Sequence, residues 1–291
     1  MASPESLTVT AGDGIQVRIQ IYANGEAAAP VALILPAMGV RASYYDVLAE
    51  ELGRHGLHAV TADLRGHGES TVRAGRQCDF GYREIVREDL PAIGRAVRER
   101  FPQSLLIPVG HSLGGQMACL WAAVHPRDLD GIVLIASCSV YRRCWPFPVS
   151  VGMWFFFHVC RLLAVLVGHL PGRTIGFGGR EARTLVKDWK HQGLTGRYEI
   201  TGDEADYEAL LRGVELPILT LSFSDDGYVT HRAVDHLAEK MPGVRREDRR
   251  MTPGDVGVDS IGHFAWARQP AIVSGLVADW IHAQGTGGEK F

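Results

Sequence analysis

Apolar residues form two kinds of pattern along this chain. Short unbroken runs, VALIL (31–35), LHAVTA (57–62), LLIPV (105–109), GIVLIA (131–136) and LPILTLSF (216–223), suit strands covered on both faces. Between or after them lie segments with helical spacing, at about 43–54, 83–100, 113–125, 230–240 and 264–283. Ahead of the first run, Leu7–Thr10 and Ile15–Tyr22 flank Asp13-Gly14, the pattern of a hairpin with a tight turn. A further strand is expected near 244–250. Strands alternating with helices predict an α/β protein, a mostly parallel central sheet with helices on both faces.

The alternation fails between Val140 and Gly213, where the chain is rich first in aromatic and then in basic residues. The reading is a helical cap, residues 140–213, inserted into a core domain built from 1–139 and 214–291. Inside it, Val149 to Gly168 is long enough to raise a membrane span. His158 and Arg161 near its middle oppose that, since a central Arg costs about 2.5–3.5 kcal/mol on insertion scales. Packing within the cap is the expectation, with transient membrane or lipid contact through the cap as the alternative. The final QGTGGEKF is expected to fray.

Composition narrows the function classes. The 291 residues allow one large domain with an insertion, or two domains, and enough core to fold without metal or disulfide. A net charge of −3 with no basic block leaves no electrostatic footprint for nucleic acid. The cysteines are Cys78, Cys119, Cys138, Cys144 and Cys160; an odd number without C-x-x-C reads as free thiols. With no H-E-x-x-H and no close His/Cys pair, no metal is expected, and no cofactor is called for. The opening MASPESLTVTAGDG has no apolar core of a secretion signal, so a cytoplasmic location is the default expectation. Oligomeric state is not legible.

One corner carries chemistry. In PVGHSLGGQMACLWA (108–122) a strand-like run stops at Gly110 and a helical run starts near Leu113, with Ser112 between them. Glycines at 110 and 114 remove side chains that would strike the neighbouring strand and helix. Ser112 can then sit strained, with its oxygen pushed outward: the G-x-S-x-G nucleophile elbow. The bare pattern is weak, because 34 glycines supply roughly 0.2 chance matches per chain of this kind. The strand before it and the helix after it give it weight.

GHSLGG, together with DLRGHGES (63–70) and GHF (262–264), resembles the α/β-hydrolase superfamily, serine-nucleophile group, over nearly the whole chain. LPAMGV, SFSDDGYVT and IGHFAW resemble predicted α/β hydrolases related to serine aminopeptidase-like and lysophospholipase-like enzymes. The resemblance implies a chain order of Ser, acid, His, and a cap after the sixth strand. His263, in a loop before the last helix, matches the family's base; His231, His236 and His282 fall on helices. The acid should follow the strand 216–223. Asp226 fits better than Asp225, although Thr230 stands where the family commonly has proline; Asp255 and Asp259 are further candidates. The oxyanion donors should be the amides of Leu113 and Met38, with Pro36-Ala37 replacing the family's usual His-Gly.

The activity implied is cleavage of carboxylic esters through an acyl-enzyme, on a small-molecule substrate with an apolar acyl or aryl group. Candidate substrate contacts are His111, Trp145, Trp154 and Phe155, with Phe147 and Phe157 as further cap aromatics. An acyltransferase using the same residues, or a binding protein on this fold, stays open. DLRGHGES lacks the spacing of a phosphate loop and reads as a structural turn pinned by Asp63 and Arg65.

Overall fold

A computed structural model describes residues 3–286. Its centre is a sheet of eight strands: β1 (Glu5–Thr10), β2 (Gln16–Tyr22), β3 (Val31–Leu35), β4 (His58–Ala62), β5 (Leu106–His111), β6 (Ile132–Ile135), β7 (Pro217–Phe223) and β8 (Arg245–Met251). The spatial order is β1-β2-β4-β3-β5-β6-β7-β8. The pairs from β4 to β8 are all parallel, and β2 is antiparallel to both of its neighbours. This is the expected architecture. The period of two sorts the strand residues between two cores. Leu33 and Leu35 join the core under α2 (Leu90–Arg100) and α3 (Leu113–Val124), whereas Ala32 and Ile34 join the core under α1 (Asp46–Arg54) and α8 (Ser274–Thr286).

The edge strand β8, RREDRRM, is largely exposed and carries charges of both signs, which blunts pairing with another chain. One expected helix is as long as its pattern and one is shorter. The segment 83–100 is helical throughout, but it widens to a π-type turn at Ile85–Asp89 before α2, next to Pro91, which has no N–H to return to the preceding turn. The last helix begins at Ser274, not near 264; two short 3₁₀ turns, Ala265–Arg268 and Pro270–Ile272, precede it. Of the tail expected to fray, residues 284–286 continue α8 and the rest lie outside the described residues.

Between β6 and β7 the chain leaves the sheet. This excursion holds α4 (Val149–Val167), a two-residue antiparallel pair (Leu170–Pro171 with Arg180–Glu181), α5 (Arg183–Thr195) and α6 (Tyr207–Arg212). A last helix, α7 (His231–Ala238), follows β7. The expected packing of α4 within this excursion holds along one seam only, where it meets α5. Of its nineteen residues only Phe157, Cys160 and Ala164 are buried, because a single seam of the helix meets the protein.

Candidate active site

The carboxyl ends of parallel strands, with the loops that leave them, are where open α/β sheets build their sites. Here β5 delivers Ser112, β7 delivers Asp225 and Asp226, the loop after β3 delivers residues 36–39, and the segment after β8 delivers His263.

Ser112 has φ 52° and ψ −115°, a left-handed backbone that a residue with a Cβ adopts only at a cost of about 1–3 kcal/mol. The neighbouring glycines are what the corner requires. A Cβ on Gly110 would lie 2.3 Å from Gly115 Cα, and one on Gly114 would lie 2.2 Å from the Leu35 carbonyl oxygen. The strain is over-determined by β5 on one side and by α3, buried at eleven of its twelve residues, on the other. The Ser137 hydroxyl adds a bond to the Ser112 carbonyl at 2.7 Å.

His263 is buried, and its Nδ1 lies 2.8 Å from Asp226 Oδ2. The other oxygen of Asp226 accepts from the amides of Tyr228 (2.7 Å) and Val229 (3.2 Å), so the carboxylate is held on both sides. Asp225 does different work. Its Oδ2 accepts from the Ser260 hydroxyl and from the amides of Ile261 and Gly262, at 2.8–3.1 Å, and so ties down the loop that carries His263. Burial pulls the Asp225 carboxyl up, but these three hydrogen bonds outweigh it and hold it below the usual carboxylate range. Asp255 caps the turn at Pro253–Val256.

Ser112, Met38, Leu113 and His263 line one cavity of about 330 Å³. No hydrogen bond joins the Ser112 hydroxyl to His263; such bonds are often long in unliganded sites and tighten around the reacting group. The amides of Met38 and Leu113 donate to no other group among the described residues. Leu113 is the first residue of α3, where N–H groups have no partner within the helix.

Of the four candidate substrate contacts, only Trp145 lines this cavity. Trp154 and Phe155 sit on the opposite side of α4, 39% and 60% exposed. The residues that line the cavity from that helix are Val149, Met153, Phe156 and Phe157, at helical spacing. Phe177 and Trp189, which sequence reasoning passed over, close the wall, with rings 5.3 Å apart. Phe147 is 82% exposed.

His111 is also displaced from its expected place. It is buried behind the site, and burial, with His263 beside it, pushes its pKa well below the usual histidine value. The ring is therefore neutral. Its Nδ1 lies 2.7 Å from the hydroxyl of Tyr45, which also accepts the Ala37 N–H at 3.1 Å. Tyr45 and His111 thus brace the loop that presents Met38. Tyr45 carried no sequence signal: it is one apolar-spaced residue in a helical run.

A second brace crosses to the excursion. His67 Nε2 is 3.1 Å from Glu181 Oε2, and Glu181 Oε1 accepts the Gly179 N–H at 2.7 Å. Gly179 in turn packs on Gly39, where a Cβ would lie 2.1 Å from the Gly179 nitrogen. Burial works to lower the His67 pKa, but the bond and charge of Glu181 more than offset it, leaving it above the usual histidine value. In the 63–70 turn, Asp63 accepts the Ala42 and Glu69 amides, and Arg65 pairs with Asp89 and Asp13. The turn is structural. Among the described residues no cluster of His, Cys, Asp or Glu could hold a metal ion.

Known proteins give this geometry its context. A pimeloyl-[acyl-carrier protein] methyl ester esterase of Nitrosomonas europaea is 25% identical over 244 residues, 79% of this chain and 88% of its own. One from Salmonella paratyphi A is 32% identical over 230 residues, covering 72% and 81%. A solved thermophilic esterase of Thermogutta terrifontis superposes with a TM-score of 0.63 at 18% identity, covering 98% of this chain and all of that one; at that identity the likeness shows the fold alone. The family model of the serine aminopeptidases, S33, matches residues 26–249. The match takes in the strained Ser112 and Asp226 and stops short of His263, which lines the same cavity; spanning most of the sequence, it shows that the chain belongs to the serine aminopeptidase S33 family of α/β hydrolases.

Proposed function

We propose that this protein is a serine hydrolase that cleaves carboxylic esters through an acyl-enzyme, with Ser112 as nucleophile, His263 as base and Asp226 as its orienting acid. Ser112 Oγ attacks the ester carbonyl carbon while His263 Nε2 takes its proton. The charge that develops on the carbonyl oxygen is met by the amides of Leu113 and Met38; in a site sheltered from water, one such donor is worth about 3–4 kcal/mol. Collapse breaks the bond to the alcohol oxygen, which leaves with the proton held by His263. Water activated by the same imidazole then releases the acid and restores Ser112. Asp226 keeps the proton on Nδ1 and stabilises the imidazolium.

The observation that carries the reading is the 2.8 Å His263–Asp226 bond in the same cavity as a strained Ser112 whose hydroxyl bonds no other group among the described residues. The cavity wall of Trp145, Met153, Phe156, Phe157, Phe177 and Trp189 supports an apolar acyl or aryl group as the substrate's recognised part. The esterase names of the relatives support the ester class. Residues 140–213 act as the cap over this cavity, and a cytoplasmic location belongs to the same proposal. A panel of aryl esters of graded acyl length, run on the wild type and on Ser112→Ala, tests it: hydrolysis of short- to medium-chain esters by the wild type alone is expected. An equal rate in Ser112→Ala would overturn the assignment.

A further inference from the structure

Helix α4 is apolar over most of its circumference, with Ser150, His158 and Arg161 its polar residues. Such helices belong inside a protein or in lipid, yet this one lies on the outside of the cap. One face lines the cavity and packs on α5, with Phe157 against Trp189 at 4.6 Å. The opposite face carries Val151, Phe155, Val159, Leu162 and Leu166, each 39–60% exposed. Their spacing of four, four, three and four makes one continuous ridge, about 22 Å long at 1.5 Å per residue. Trp154 and Val165 flank it, also exposed. Monomeric soluble proteins seldom leave so large an apolar stripe open without a use for it.

Charge says what covers it. The whole chain has 30 Lys and Arg against 33 Asp and Glu, and residues 140–213 hold ten against seven, but the part that carries α4 and α5, residues 140–200, holds nine against three. Arg142 and Arg143 precede α4, Arg173 follows it, and Lys187 and Lys190 stand on α5 beside it. None of the five has a carboxylate at ion-pair distance among the described residues. An apolar ridge bordered by unpaired cations matches an anionic lipid surface, with acyl chains for the ridge and headgroups for the cations. A second copy of the chain fits less well, since a two-fold contact would set the same arginines against one another. Crossing the bilayer is disfavoured as well. Arg161 turns inward, its guanidinium bonded to the Arg183 carbonyl at 3.3 Å, and α4 would have to abandon the cavity wall.

We propose that the outer face of α4 docks on an anionic lipid surface, and that the enzyme draws lipid-dissolved esters into the cavity directly beneath that helix. The substrate part of this proposal rests on the ester-hydrolase reading above; the docking part does not.

Flotation of the Ser112→Ala protein with vesicles tests docking without turnover. It should float with phosphatidylglycerol–phosphatidylcholine vesicles and bind phosphatidylcholine alone at least tenfold more weakly. Leu162→Gln/Leu166→Gln should lose at least tenfold in vesicle partition, yet hydrolyse a water-soluble short aryl ester at the wild-type rate and melt at the wild-type temperature. Arg142→Ala/Arg143→Ala should lose several-fold on the mixed vesicles only. Failure of Ser112→Ala to float, or undiminished flotation of the Gln pair, would overturn the proposal. So would a dimer in solution that the Gln pair converts to monomer while no vesicle binding is seen. Vesicle binding without ester hydrolysis by the wild type would overturn the functional reading and leave docking standing.

Discussion

Helices α3 and α4 are nearly alike in sequence character and opposite in fate. Both are apolar over most of their surface, α3 with Gln116 and α4 with Ser150, His158 and Arg161 as polar exceptions. The first is buried at every residue from Leu113 to Ala123; the second is buried at three positions of nineteen. The difference is the company each keeps. Between the sheet and the elements that cover it, α3 meets protein on every side, and Trp121, fully buried, anchors it with an indole N–H to Asp128 at 3.1 Å. On the rim, α4 has protein on one side alone. A mostly apolar pattern reports that water is to be avoided, but not whether protein or another medium excludes it. The rigid helix holds the strained serine, and the exposed helix forms a wall of the cavity.

The largest effects should fall at the buried end. Ser112→Ala should lower ester kcat by about 10⁵–10⁶-fold with little change in melting temperature, read by initial rates beside a thermal scan. Asp226→Asn should cost about 10⁴-fold in kcat, and Asp225→Asn much less, because it loosens a loop and does not touch the imidazole; equal losses would merge the two roles separated above. Trp121→Ala in α3 should cost about 3–5 kcal/mol of stability in denaturant titration, whereas Leu162→Ala in α4 should stay within about 0.5 kcal/mol. A similar cost at both positions would mean that α4 is covered in solution, and the contrast between the helices would dissolve. Tyr45→Phe should lower kcat about tenfold with KM little changed, since it frees the loop that presents Met38.

A pH-dependent effect concerns the brace between the 63–70 turn and the excursion that follows β6. The pKa of His67 is raised in the folded state by Glu181, so its contribution to stability is fully present below the unfolded value near 6.5 and fades as pH rises through the raised folded value. His67→Gln should cost about 1–2 kcal/mol at pH 6 and less at pH 9. Melting curves at the two pH values check this; an equal loss at both would remove the ionised pair from the account.

Residue pattern alone carried much of this. The sheet strands were legible because an interior strand must be apolar on both faces, and the elbow because only glycine fits beside Ser112. Other features were decided in three dimensions. Asp225 and Asp226 are adjacent and chemically identical, and only the path of the loops tells the one that meets His263 from the one that pins its loop. Tyr45 and His111 lie sixty-six residues apart, so no local pattern could pair them. Trp154 and Phe155 looked like cavity residues, but a helix apolar over most of its surface has too little periodicity to say which aromatics turn inward.

What the sequence by itself determined is the list of parts: which segments avoid water, where the backbone must be free of side chains, and which groups can attack, accept or donate a proton. Those follow from local sterics and solvation, which act residue by residue. Only the tertiary structure decided which faces of those parts meet, because packing depends on neighbours distant in the chain.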